Sequence, residues 1–132
     1  MADTPADLRY SRDHLWARAQ SGGQLVRSGV TDFAQQSLGD VIEVTLPDVG
    51  DDTTAGEPCG VIDSTKSAND LVSPVTGTVR SRNEALTGSP ELVNTDPYGR
   101  GWMFEVEVDP ASLGDQLGSL MDGHSYQDLT GE

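Results

Sequence analysis

The chain has 132 residues, 22 of them acidic and 8 basic, for a formal net charge of −14. That length holds one compact domain with a modest core, and that charge excludes direct binding to a nucleic-acid backbone, which needs clustered Lys and Arg, and argues against an anionic membrane surface. Hydrophobic residues make up 35% and aromatic ones 5%, so the core must come mainly from Val and Leu, and no apolar run approaches the roughly 20 residues of a spanning helix.

In chain order, His14 to Ala19 reads as a strand and Gln24 to Ser28 as its partner, with Ser21, Gly22 and Gly23 turning between them. Thr31 suits a helix cap, Asp32 to Leu38 a short helix, and Gly39 its end. Val41 to Leu46 alternates Ile42, Val44 and Leu46 with Glu43 and Thr45, the pattern of a strand. A turn over residues 47–51 precedes a further strand from Cys59 to Asp63. Ser64-Thr65-Lys66-Ser67-Ala68-Asn69 has the small, polar composition of a loop tip. Strand character resumes at Leu71 and Val72, and again from Val75 to Arg82, with Pro74 at an edge or strand start and Gly77 at a bend or bulge. Residues 83–94 mix a helical turn with loop, and Trp102 to Val108 alternates apolar residues with Met103, Glu105 and Glu107, as a half-buried strand does. Asp109-Pro110 opens a helix carrying Leu113, Leu117, Leu120 and Met121, and residues 126–132 add a helical turn or fray. The pattern is mainly β, a sandwich or barrel, with no βαβ rhythm, no tandem repeat and no second domain.

The opening residues Met1-Ala2-Asp3-Thr4-Pro5-Ala6-Asp7 are neither the basic, then apolar start of a signal peptide nor an Arg-rich transit segment. The single cysteine, Cys59, excludes an internal disulfide and a thiolate zinc cluster. A cytoplasmic protein is therefore expected. Independent catalysis is not. His14 and His124 lack metal-ligand spacing, with His14 reading as a packed or surface histidine in a strand and His124 as part of a polar tail. Cys59 has the features of a small buried residue in a strand. Asp51 and Asp52 lack the spaced carboxylates of a calcium loop, so no metal is expected, and Glu105 with Glu107 fits a solvated strand face.

The basic residues are uneven: seven are Arg and one, Lys66, is Lys. A genome rich in G and C accounts for scarce lysine in general. It makes the remaining one more informative, because an amine can be acylated and a guanidinium stays charged. Strand-like flanks place that amine at the tip of a hairpin spanning about 59–72, among small neighbours that leave it open to another protein's active site.

The run GVIDSTKSANDLVSPVTGTV, residues 60–79, resembles the lipoyl-lysine segment of the glycine cleavage system H-protein family. The matching positions are Asp63, Asp70, Ser73, Pro74 and Gly77 around Lys66. Tyr10, His14 and Trp16 resemble the family's first strand, and Gly29-Val30-Thr31-Asp32, Ala34-Gln35 and Leu38-Gly39-Asp40 its first helix and turn. Leu46-Pro47, Val49-Gly50, the run from Ser89 to Asn94, Pro97-Tyr98 and Gly101-Trp102 also fit, so the likeness spans nearly the whole chain.

The resemblance implies a barrel-sandwich hybrid of the lipoyl/biotinyl-carrier type over residues 1–132, with a short helix in the N-terminal half and a C-terminal helical extension about 110–130. It implies lipoyl joined through an amide to Lys66, which would take the net charge from −14 to −15, and a non-catalytic shuttle of glycine catabolism and one-carbon metabolism. The implied partners are a pyridoxal-phosphate glycine decarboxylase, an aminomethyltransferase, a flavin dihydrolipoyl dehydrogenase and a lipoate-attaching enzyme. Asp63 and Gly77 would serve recognition by the last of these. The family's His-Glu-Trp is His14-Leu15-Trp16 here. In the family that glutamate helps hold the cationic end of the loaded arm, and Leu15 cannot pair with an ammonium. Asp13, taken as lying on Leu15's strand face, is expected to supply the charge together with Asp70, the two forming an arm-parking surface. The alternatives are an H-like lipoyl relay or regulatory protein and another swinging-arm carrier. Biotin carriers usually flank the lysine with Met, where Thr65 and Ser67 stand here, and 2-oxoacid dehydrogenase modules are shorter and lack both helices. A Schiff-base enzyme would need a buried, desolvated amine, which a loop tip does not offer.

Overall fold

The computed structural model describes residues 4–20 and 24–131; the expected turn at Ser21–Gly23 and the final Glu132 lie outside them. Among the described residues nine strands form two antiparallel sheets. The larger sheet has β1 (Arg9–Tyr10), β2 (Leu15–Ala19), β3 (Leu25–Val30), β5 (Asp52–Thr53), β8 (Gly77–Arg82) and β9 (Phe104–Glu107), in the order β1-β2-β3-β9-β8-β5. The smaller has β4 (Val41–Thr45), β6 (Pro58–Ser64) and β7 (Ala68–Val72), in the order β4-β6-β7. The described residues also hold five helices: α1 (Asp32–Leu38), α2 (Ala85–Gly88), α3 (Leu92–Thr95), α4 (Pro110–Gly118) and α5 (Gly123–Thr130). The mainly β, two-sheet architecture with short helices is the one expected; the strands belong to two separate hydrogen-bonded sheets.

Period-two alternation sorts β2 between two cores. Leu15 and Ala17 join Val26, Val30, Val41, Ile62, Leu71, Phe104 and Val106 in a cluster that both sheets share. Trp16 turns the other way, into a second cluster with Leu8, Tyr10 and Tyr126, where its Nε1 donates to the Pro97 carbonyl over 2.9 Å. The Tyr10 and Tyr126 rings stack with centroids 4.7 Å apart, which fixes α5 on the outer face of β1.

Several expectations need correction. The C-terminal helical turn expected from Tyr126 starts earlier: α5 begins at Gly123 and buries Tyr126 completely enough to make it a core residue. Residues 102–108 are not half solvated. Met103 is fully buried and Glu105 is 7% exposed, because β9 is an interior strand and Arg27 crosses to cover it. The Arg27 Nε lies 2.9 Å from Glu105 Oε2 and its guanidinium stacks 4.3 Å from the Trp102 ring. Ile42 faces solvent, since a register shift between Val41 and Glu43 breaks the alternation expected of β4. His14 lies in a turn before β2, in the left-handed region at φ 68°.

Gly77 begins β8 where it crosses β9. A Cβ there would run into the Glu107 carbonyl oxygen and the Val106 side chain, so the glycine is a condition of sheet closure rather than a flexible bend. Gly77→Ala is therefore expected to cost about 1–3 kcal/mol by overpacking, read as a lower urea midpoint at unchanged m-value; a midpoint equal to wild type would contradict the crowding.

Candidate functional site

The β6–β7 hairpin carries Lys66 in a turn of exposed residues, Thr65-Lys66-Ser67. Small polar side chains shape this turn because they can satisfy backbone groups locally. Ser64, only 7% exposed, has its Oγ within 3.3 Å of both the Lys66 and Ser67 amides and donates to the Ser67 carbonyl at 3.2 Å. The turn is tied to the body of the protein. The Thr65 amide donates to the Asp40 carbonyl over 3.0 Å, and Asp40 sits in the corner between α1 and β4.

Asn94 on α3 clamps that corner. Its Nδ2 donates to the Gly39 carbonyl at 2.8 Å and to Gln35 Oε1 at 3.1 Å, and its Oδ1 accepts from the Val41 amide at 2.9 Å. Gly39 caps α1 at φ 76° and ψ −158°, a conformation open essentially to glycine alone. It also clears space for the lysine stem: a Cβ on Gly39 would come 3.2 Å from Lys66 Cε. The lysine side chain thus lies across the end of α1, exposed but adjacent to a defined surface.

Beside it, between α1 and the hairpin, runs a groove of about 240 Å³. Its wall is mostly apolar: Leu15, Val30, Phe33, Ala34, Leu38 and Ile62. Asp13, His14, Ser37, Asn69 and Asp70 add polar groups. The groove brings together the two expected parking residues, Asp13 and Asp70, and it does so by a different route from the one expected. Asp13 is in the turn over residues 11–14, closed by the His14 amide donating to the Ser11 carbonyl at 3.2 Å, not on a strand face with Leu15. Leu15, 2% exposed, belongs to both the core and the groove wall.

Asp63 pairs with Ala68 in the hairpin, two residues before the turn, while Gly77 belongs to the other sheet. Cys59 is partly buried, and burial pushes its thiol up to about 11, so it stays protonated and inert. His124 is exposed on α5, 3.8 Å from Asp128. The residue that sequence reasoning missed is His14. Burial lowers its pKa below the usual 6.5, partly opposed by the Asp13 carboxylate, and its ring packs 5.1 Å from Phe33 in the groove. The signal was present in the short spacing from Asp13 to Trp16, but a turn and a strand start look alike over so few residues.

The family model described as Glycine cleavage H-protein matches residues 8–132. The chain belongs to this family. It is 52% identical over 128 residues to the glycine cleavage system H protein of Mycobacterium avium (strain 104), covering 96% of each chain. It is 47% identical over 132 residues to that of Mycolicibacterium smegmatis (strain ATCC 700084 / mc(2)155), covering both in full. The crystal structure of a glycine cleavage system H protein from Mycobacterium marinum matches with a TM-score of 0.85 at 36% identity, over 97% of this chain and 99% of that one. H proteins are the lipoyl carriers of the glycine cleavage system and act as carrier subunits alongside its other components. Among the described residues no helix is long and apolar enough to cross a membrane.

The clamp makes a quantitative expectation for this H-protein family member. Asn94→Ala removes three hydrogen bonds at a half-buried position and should cost about 1–2 kcal/mol, with faster amide hydrogen exchange at Thr65 as the local sign; unchanged exchange there would show that the hairpin turn does not depend on the corner.

Proposed function

We propose that Lys66 is the lipoylation site and that the protein shuttles an aminomethyl group from a pyridoxal-phosphate glycine decarboxylase to an aminomethyltransferase, and electrons to a dihydrolipoyl dehydrogenase. One observation carries the reading: an exposed amine on a backbone-anchored hairpin turn, its stem against α1 and beside an apolar groove with acidic groups at its polar positions. Residues 1–132 then act as one carrier domain, with the hairpin as presenting element.

The residues present fit the group. An uncharged chain with a cationic end needs an apolar wall and a nearby carboxylate; Leu15, Phe33, Leu38 and Ile62 offer the first, and Asp13 and Asp70 the second. When bound, lipoyl supplies a dithiolane able to accept the aminomethyl group and to pass on electrons. The chain itself does five things. Its Lys66 Nζ forms the amide. Ser64 and the Asp40 carbonyl hold the turn outward, so a tether there raises the effective concentration of its far end at a partner's site. Leu15 and Phe33 exclude water along the groove. Asp13 and Asp70 take the place of the family's glutamate as counter-charge. Asp63, on the hairpin, presents a carboxylate to the lipoate-attaching enzyme, and Gly77 contributes to that recognition through the sheet geometry it permits.

Two measurements test this. Glycine–bicarbonate carbon exchange, reconstituted with a decarboxylase, is expected with lipoylated wild type and absent with Lys66→Arg, which keeps charge and approximate length but cannot be acylated; exchange surviving in that variant refutes the site. Separately, Asp13→Ala should shorten the lifetime of the aminomethyl cargo several-fold at pH 7, whereas an unchanged decay rate removes Asp13 from the parking surface.

A further inference from the structure

A chain of short hydrogen bonds links the cap of α1 to the groove through α5. The Thr31 Oγ1 accepts from the Ala34 amide at 3.1 Å as the helix N-cap. The same oxygen lies 2.7 Å from Tyr126 Oη, and Tyr126 Oη lies 2.7 Å from His14 Nδ1. Thr31 is fully buried, so its hydroxyl proton needs an acceptor inside the protein. Tyr126 Oη is the acceptor it has among the described residues. With that proton received, the phenol can give its own proton to His14 Nδ1, which lies 2.7 Å away. Reversing the chain, from His14 through Tyr126 to Thr31, would leave the Thr31 proton buried without a partner.

This direction has a chemical consequence. Nδ1 of His14 is an acceptor, so the neutral ring carries its proton on Nε2. Among the described residues Nε2 has no hydrogen-bond partner, and the ring lines the groove beside Phe33. Backbone geometry holds it there: His14 sits at φ 68°, a conformation in which His is enriched among non-glycine residues, and its carbonyl accepts from the Thr31 amide at 3.0 Å. The ring is therefore fixed at both ends of the same network, from β2's entry turn and from α5.

We propose that His14 is a positioning residue for the lipoyl arm, donating from Nε2–H to an acceptor on the arm's uncharged length, its sulfur or its amide carbonyl, with Tyr126 and Thr31 setting the tautomer. The inference rests on the lipoyl-carrier reading of Lys66. It assigns separate tasks within the groove. Asp13 and Asp70 are acceptors and suit an ammonium; a neutral His14 is a donor and suits a group that has lone pairs and no proton to give. It also gives α5, at the far end of the sequence, a part in arm docking. The charged and titratable groups around the ring are Asp13 on its own turn, Tyr126 on α5 and Asp70 on β7. Burial keeps the ring neutral at pH 7 against the pull of Asp13.

The test uses the full chain labelled with nitrogen-15 in histidine, before and after lipoylation verified by intact mass. With two histidines in the chain, exposed His124 is an internal control. In lipoyl-free protein at pH 7.5 or so, His14 is expected to show a protonated Nε2 and an unprotonated Nδ1. Tyr126→Phe, which keeps the ring stack and removes the hydroxyl, should abolish that preference. On lipoylation the His14 Nε2 resonance should move while His124 stays in place. A His14 proton on Nδ1 overturns the relay, a result wild type gives even if the variant fails to fold. An unmoved Nε2 in fully lipoylated protein overturns the positioning role and leaves the carrier reading intact. A chain that takes no lipoyl at Lys66 overturns both.

Discussion

The arrangement depends on one tie, the hydrogen bond from the Thr65 amide to the Asp40 carbonyl. Without it the three exposed residues of the turn would hang beyond a β4–β6 ladder that ends at Ser64. Here β4 pairs with β6 along the outside of the hairpin, and the α1–β4 corner grips its turn. Asn94 secures that corner from α3, and α3 is in turn held by Val93 in the shared core. Order passes from core to corner to turn. The only long flexible piece left is the Lys66 side chain itself, so a group joined to it would move by its own torsions against a fixed background.

Charge follows a similar division. Three arginines of the large sheet are paired with carboxylates: Arg27 with Glu105, Arg80 with Glu107, and Arg82 with both Asp48 and Glu84. The stretch from Asp40 to Val72, which holds the small sheet, carries eight acidic residues and a single cation, Lys66. The exposed pairs among these add little stability, but the stretch around the hairpin holds one positive charge, and acylation of Lys66 would remove it. A negative field favours encounter with basic surfaces and weakens as salt rises. The groove tempers this by lining itself with Leu15, Phe33 and Ile62, where a carboxylate would have to be desolvated.

Local chemistry was legible in the sequence, and contacts made across the chain were not. Thr31 and Gly39 announced α1 because a cap and a stop act within a few residues. The lone lysine among small residues announced the hairpin turn for the same reason. By contrast, β1 and β5 are two residues long, too short to carry any period, and exist because neighbours pair with them. Glu105 looks like solvent-facing polarity until Arg27 arrives from a distant strand, pairing with it and stacking on Trp102. Tyr126 reads as tail until Tyr10 stacks on it, over a hundred residues earlier in sequence. Lys66, and Asp70 in the groove beside it, could be found from the hairpin alone. Asp13 reaches the groove through a turn that alternation did not reveal, and His14 is joined to a tyrosine and a threonine that only folding brings near.

The central claim is that a single amine, presented on an anchored turn, is where this protein becomes a carrier. Peptide mass spectrometry after incubation with a lipoate-attaching enzyme, lipoate and ATP tests it most directly. The account predicts one lipoyl group per chain, on the peptide containing Lys66; a chain that remains bare there while a control H protein is fully modified would contradict it.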